Sequence, residues 1–371
     1  MGSSFSGNKN EGSHPPSHTT TNNSSSTGKG KADDRVVHAA RAESVEDSTP
    51  WGEQLVLRAT WAKNDAAFRA WHALAEAEEV LQPEVEIVDV HHHLWDMRSL
   101  KGYNLFGLFR QQYYMAEELA EDVLSSGHKV THTVYAEAHA FGGGMGEARF
   151  AQGIAAQFAM GKYGGLKACA GIIGSVELTK LGATAGQILR DMQQCCPNLR
   201  GVRVNAQHDE NLKDGFRVEA PGLYATERFR QGFAALGPLG LSFDAFVYAS
   251  QLQDVRALAL AFPGTTIILN HMGVPACALG PFAGHAPGYV GQQAGIIQRW
   301  QADMGAIAHD CPNVVVKLGG LMGCLGHGWA ERPCPVSSAE VADVIGPLFK
   351  FVIATFGAER CMFESNFPVD R

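Results

Sequence analysis

The chain has 371 residues, 45% of them hydrophobic, enough for one large domain of about 250–300 residues plus a tail. Its net charge of −8, with acids and bases interspersed, gives no basic footprint for nucleic acid. No apolar run approaches the roughly 18 residues that a membrane span needs. The eight cysteines are scattered without a CxxC pair, and the start carries no secretory signal, so free thiols in a reducing, cytoplasmic setting are expected.

Residues 1–50 read as a disordered tail rich in Ser, Asn and Gly, with too little apolar surface to offset chain entropy. Its opening, MGSSFS, matches the acylation pattern at Gly2, a short pattern that also arises by chance. The domain is expected over 51–371. Asn64 or Asp65 caps a predicted helix over 64–80, which Pro83 separates from the first strand. Beyond it, apolar strands alternate with helix-length amphipathic segments. Strands are predicted near 86–91, 130–137, 168–173, 200–205, 241–247, 265–271, 313–318 and 360–364. The helices fall near 116–126, 147–161, 184–195, 226–236, 250–262, 291–310 and 338–356. TTIILNH and NVVVKLGG have the continuous apolar character of strands buried on both faces.

Eight such units predict an α/β fold, a parallel (β/α)8 TIM barrel. A doubly wound sheet would place a glycine-rich phosphate turn after the first strand, where none occurs. FGGGMGEA (141–148) follows the second strand and reads as a flexible loop. The sequence reaches Arg371 only a few residues past the eighth strand, so the barrel is expected to lack its final C-terminal helix.

The segment VDVHHHLWD (88–96) runs a strand into three histidines. Alternation points His91 and His93 one way and His92 the other. Active sites of such barrels lie at the C-terminal strand ends, which here carry a series of polar residues. These are His91 and His93, then Glu137 with His139, Arg203, Asp244 with Tyr248, His271, Lys317, and Glu364 with Asn366. A structural hydrogen-bond network is the plainer alternative for the set, above all for Lys317, Asp244 and Tyr248. His91, His93 and His271 are the predicted metal ligands, since three neutral imidazoles plus water is a common catalytic zinc arrangement.

VDVHHHLWD, RGVRVN, FDAFVY, TTIILNHMGVP, VVVKLGGL and CMFESNFPVD, in that order, resemble the amidohydrolase superfamily. Within it the chain is similar to the lactonase-type, TIM-barrel metal-dependent hydrolases. The resemblance implies that His91 and His93 bind metal and that His271 binds metal or polarises a carbonyl. It also implies that Arg203 holds a substrate carboxylate in fork geometry. The family's strand-8 aspartate, which ligates metal and deprotonates the attacking water, is replaced by Asn366, whose amide accepts no proton. Either another carboxylate, Glu137, Glu364 or Asp370, must then serve as base, or water activation rests on the metal alone. Glu137 is favoured because it sits at a strand end, whereas Glu364 is expected deeper in the barrel.

One divalent ion, zinc, is expected, although some relatives work without metal. The implied reaction is hydrolysis of a small cyclic ester, a carboxylated or sugar-acid lactone, with an amide bond not distinguished. Lys317, Tyr248 and Asp244 line the predicted substrate side, the aromatic stretch 95–114 forms a predicted lid, and a homo-oligomer is allowed. A non-oxidative decarboxylase and a catalytically impaired binding protein, the latter motivated by Asn366 and the expected missing final helix, are the rival readings.

Overall fold

β1 (Glu86–His92) begins a parallel eight-stranded sheet whose spatial order follows the chain. β4 (Lys129–Ala136), β5 (Lys167–Ser175), β6 (Leu199–Asn205) and β7 (Ser242–Phe246) come next. β8 (Ile267–Leu269), β9 (Val314–Leu318) and β10 (Cys361–Phe363) complete it. β2 (Trp95–Asp96) and β3 (Tyr113–Tyr114) form a separate antiparallel ribbon. The computed structural model describes residues 65–96, 111, 113–210, 220–276, 278, 289, 291–321, 328–329 and 332–371. The predicted tail, Gly2, positions 51–64 and most of 97–112 lie outside them.

Helices connect the strands: α1 (Asp65–His72), α2 (Ala116–Ser125), α3 (Gly144–Ala159), α4 (Leu178–Leu181) and α5 (Ala185–Cys195). α6 (Glu227–Phe233), α7 (Leu252–Ala261), α8 (Gln293–Asp310) and α9 (Ser338–Phe356) complete the series. The result is the predicted TIM barrel, nearly closed. Strand β9, VVVKL, is almost entirely buried, as its unbroken apolar pattern requires. Between sheet and helices the core includes Phe229, Phe233 and Phe243, all fully buried and packed edge-on or tilted at centroid distances of 5.1–5.9 Å. No helix among the described residues is long and apolar enough to cross a membrane.

Three boundaries differ from the sequence expectation. The glycine run is a helix entry rather than a loop: Gly142, Gly143 and Gly144 take positive φ and α3 starts at Gly144. α1 stops at His72 instead of continuing to residue 80. Leu74 and Leu81 are 59% and 87% exposed, so the segment past His72 buries little apolar surface that would hold a longer helix. The sixth barrel strand ends at Leu269, which places His271 in a turn rather than on the strand. Among the described residues no helix follows β10, and Phe363 on it is half-exposed.

Closure between the last strand and the first is made past the end of β10. Asn366 N–H donates to His91 O (2.9 Å) and His93 N–H to Phe367 O (2.7 Å). Beneath these bonds the buried Asp89 accepts from Ser365 N–H (2.9 Å), Ser365 Oγ–H (2.6 Å) and His91 N–H (3.2 Å). One carboxylate thus clasps the two edges.

Removing it in Asp89→Ala leaves these donors unpaired and is expected to cost about 2–3 kcal/mol in urea unfolding. Burial, opposed by the Ser365 bonds, raises this carboxyl from its ordinary 3.8 to about 6. The folded protein therefore holds the proton more tightly than the unfolded chain. The associated stability is present below about pH 4 and lost as pH rises through about 6. The wild-type minus Asp89→Asn difference in unfolding free energy should fall across that window; a rise would contradict the burial argument.

Candidate active site

His91 is the centre of the cluster. It is fully buried at the end of β1, and His92 faces the other way, its Nε2 bonded to Thr133 Oγ1 (2.8 Å). On one edge of its ring, His91 Nε2 lies 3.1 Å from His93 Nε2 and 3.3 Å from Arg203 Nη1. On the other edge, Nδ1 lies 3.0 Å from Glu364 Oε2 and 3.2 Å from Lys317 Nζ. Burial and then the charge of Lys317 hold the His91 pKa well below the usual value. Burial and then Arg203 do the same for His93, so both imidazoles are neutral.

The tautomers follow from the partners. His93 Nδ1–H donates to Ala136 O (2.8 Å), leaving its Nε2 as a lone pair. His271 Nδ1–H donates to Glu364 Oε1 (2.7 Å), and the same oxygen accepts His271 N–H (3.2 Å). This double grip accompanies a left-handed backbone at His271 (φ 53) and Met272 (φ 53), an arrangement costly for residues with a side chain. Trp300 Nε1–H pins the turn through Met272 O (2.7 Å).

His91 has two choices. With its proton on Nε2 it donates to His93 and accepts from Lys317. With its proton on Nδ1 it donates to Glu364, and the Nε2 atoms of His91 and His93 both turn lone pairs toward one point. Glu364 Oε2, buried and without a hydrogen-bond partner, is the acceptor that the second choice satisfies. Neutral imidazoles backed by a buried carboxylate are a donor set suited to a divalent cation. Among the described residues, His91, His271 and Glu364 are the three whose ligand atoms all lie within 4.8 Å of one another.

Lys317 and Asp244 lie beneath the histidines, fully buried and paired at 2.6 Å, with Asn270 Nδ2–H also donating to Asp244 (2.8 Å). Glu137, 2% exposed just past β4, braces Arg203. Arg203 Nη2 donates to its carbonyl oxygen, and Nε lies 3.6 Å from its Oε1. Glu137 Oε2 also meets His139 Nδ1 at 3.1 Å.

The cluster therefore brings together His91, His93, His271, Arg203, Glu137, Glu364, Lys317 and Asp244. Tyr248 packs instead with Val274, Ala276 and Phe246. Asn366 is a turn residue at φ 53 whose main chain joins β1 and whose carbonyl accepts Val369 N–H (2.9 Å). Glu364 stands level with the histidines, not a layer below them.

Sequence reasoning passed over Gly319 and Gly320, whose only signal was the GG after Lys317. A Cβ on Gly319 would overlap Glu364, and one on Gly320 (φ 68) would overlap the His271 ring. Gly320→Ala is therefore expected to cost at least about 1–2 kcal/mol from the backbone conformation alone. It should also displace the ring-nitrogen NMR resonances of His271. Unchanged stability and resonances would show that the ring does not depend on this close approach.

The family model described as Amidohydrolase matches residues 88–371. An uncharacterised protein, y4mH, of Sinorhizobium fredii is 28% identical over 300 residues, 78% of this chain and 86% of that protein. An L-fucono-1,5-lactonase of Burkholderia ambifaria is 26% identical over 293 residues, 76% of this chain and 81% of that protein. A crystal structure of an amidohydrolase from Burkholderia multivorans with bound zinc superposes with a TM-score of 0.56 at 21% identity. That match covers 77% of this chain and 85% of the other, and it shows a shared fold.

Proposed function

The chain belongs to the amidohydrolase family, and from that premise we propose that it hydrolyses a small lactone bearing a carboxylate or sugar hydroxyls. The observation that carries this reading is one juxtaposition at the barrel mouth. A neutral His91–His93 pair lies within hydrogen-bonding reach of the Arg203 guanidinium, which the buried Glu137 braces. The relative named as an L-fucono-1,5-lactonase supports a sugar lactone as the substrate class.

Arg203 holds a substrate carboxylate or ring oxygen through its fork of N–H groups and so fixes the scissile carbonyl near the histidines. Glu137 takes the proton of the attacking water and returns it to the ring oxygen as the C–O bond breaks. His271, its Nδ1–H locked by Glu364, keeps its Nε2 lone pair as a ligand atom for a metal ion. Lys317 and Asp244 act from beneath: burial keeps the His91 ring neutral, and the ammonium adds to that by discouraging a proton there. A divalent ion such as zinc would be held by His91 and His271, whose ligand atoms gather with Glu364, with His93 beside His91, and would supply Lewis acidity at the carbonyl.

The test is ring opening of a panel of sugar-acid and dicarboxylate lactones, followed as acid release with and without added zinc. Turnover by the wild type is expected, lowered at least about 100-fold in kcat by Glu137→Gln. Arg203→Lys should raise KM about 10–100-fold through loss of the fork. Release of CO₂ from aromatic acids in place of ring opening, or turnover of no lactone, contradicts the proposal. Stoichiometric zinc lost in His91→Ala is expected as well, and full activity of zinc-free protein would remove the ion from the account.

A further inference from the structure

We propose that His139 is the proton exit of this site, relaying protons between the buried Glu137 carboxylate and solvent. The proposal rests on the hydrolytic reading above and concerns a step that reading leaves open. Opening a lactone consumes one water and gives a hydroxy acid. At neutral pH the acid ionises, so each turnover forms one C–O bond, breaks one C–O bond and releases one net proton. That proton starts among side chains with almost no contact with water: Glu137 is 2% exposed, and His91, His93 and His271 are at most 6% exposed.

His139 supplies the route. Its Nδ1 lies 3.1 Å from Glu137 Oε2, while 53% of its side chain is exposed. The link is built into the backbone. His139 takes a left-handed conformation (φ 55) and its own N–H donates to the same Glu137 oxygen (3.2 Å), which folds the ring back onto the carboxylate. Gly143 passes beside the ring, and a Cβ there would sit 3.9 Å from Nδ1. Arg203, on the far carboxylate oxygen, holds no transferable proton near neutral pH, so it cannot serve as the exit. In the relay, Glu137, having returned the water proton to the ring oxygen, takes the proton of the newly formed carboxylic acid and passes it to Nδ1 of His139; the ring gives its Nε2 proton to buffer, and a tautomer exchange resets it. No oxidant or other co-reactant is involved.

The test uses the full chain and a lactone that the wild type opens, with acid release followed by a dilute indicator. His139→Asn keeps a residue that tolerates the left-handed backbone and removes the relay. In weakly buffered solution it is expected to lower kcat roughly tenfold or more with KM unchanged. Added imidazole should restore the rate in the variant and leave the wild type unaffected. A merely structural role for His139 would not respond to imidazole, so a loss without rescue overturns the relay. So does a variant that matches the wild type at low buffer. Absence of any wild-type turnover overturns the hydrolytic reading itself, and the relay falls with it.

Discussion

The short set of bonds joining the end of the chain to its first barrel strand is the constraint on which the rest depends. A parallel barrel brings its functional side chains together only if the last strand lies beside the first. Here that neighbour relation is made past the end of β10, by Asn366 and Phe367 against His91 and His93, with Asp89 clasping Ser365 below. The same few residues close the fold and carry the site. His91 and His93 supply main-chain atoms to the seam and ring nitrogens to the cluster. Glu364, one residue before Ser365, bridges His91 and His271 across it. A shift of one residue along the seam would turn the histidines out of the barrel mouth.

Within that frame the electrostatics are arranged in layers. The deepest is the Lys317–Asp244 pair, two charges that burial would penalise heavily if either were alone. Above it, His91 and His271 flank the Glu364 carboxylate, and His93 meets the far edge of the His91 ring. Highest are Arg203 and Glu137, and through His139 the carboxylate reaches water. Burial first, and then positive side chains on two sides of it, keep His91 unprotonated, as a metal ligand or hydrogen-bond acceptor must be. The chemistry is therefore set by what surrounds the histidines as much as by the histidines themselves.

Most of the architecture is legible in the sequence, because alternation, apolar runs and helix-length spacers are local signals that a regular barrel leaves intact. VVVKL and the HxH at the end of β1 announce themselves this way. What the sequence hides is non-local or depends on backbone twist. His271 reads as the end of a strand, yet it stands in a left-handed turn held by Glu364, 93 residues away in sequence. Glu364 reads as a layer too deep because the alternation rule is extended past Phe363, where the strand has already ended. Asn366 reads as a lost catalytic base. Its left-handed φ gives it a second reason to be there, since asparagine adopts that conformation more readily than most residues.

Amide hydrogen exchange at His93 and Asn366 tests the seam most directly, because these two N–H groups are the bonds that close the barrel. If closure holds the site together, both amides exchange only through global unfolding, at the pace of the core strand residues Val314 and Val316. If they exchange early, at the pace of surface turns while Val314 and Val316 remain protected, the barrel opens at this edge. The clustered histidines would then need another explanation for their fixed geometry.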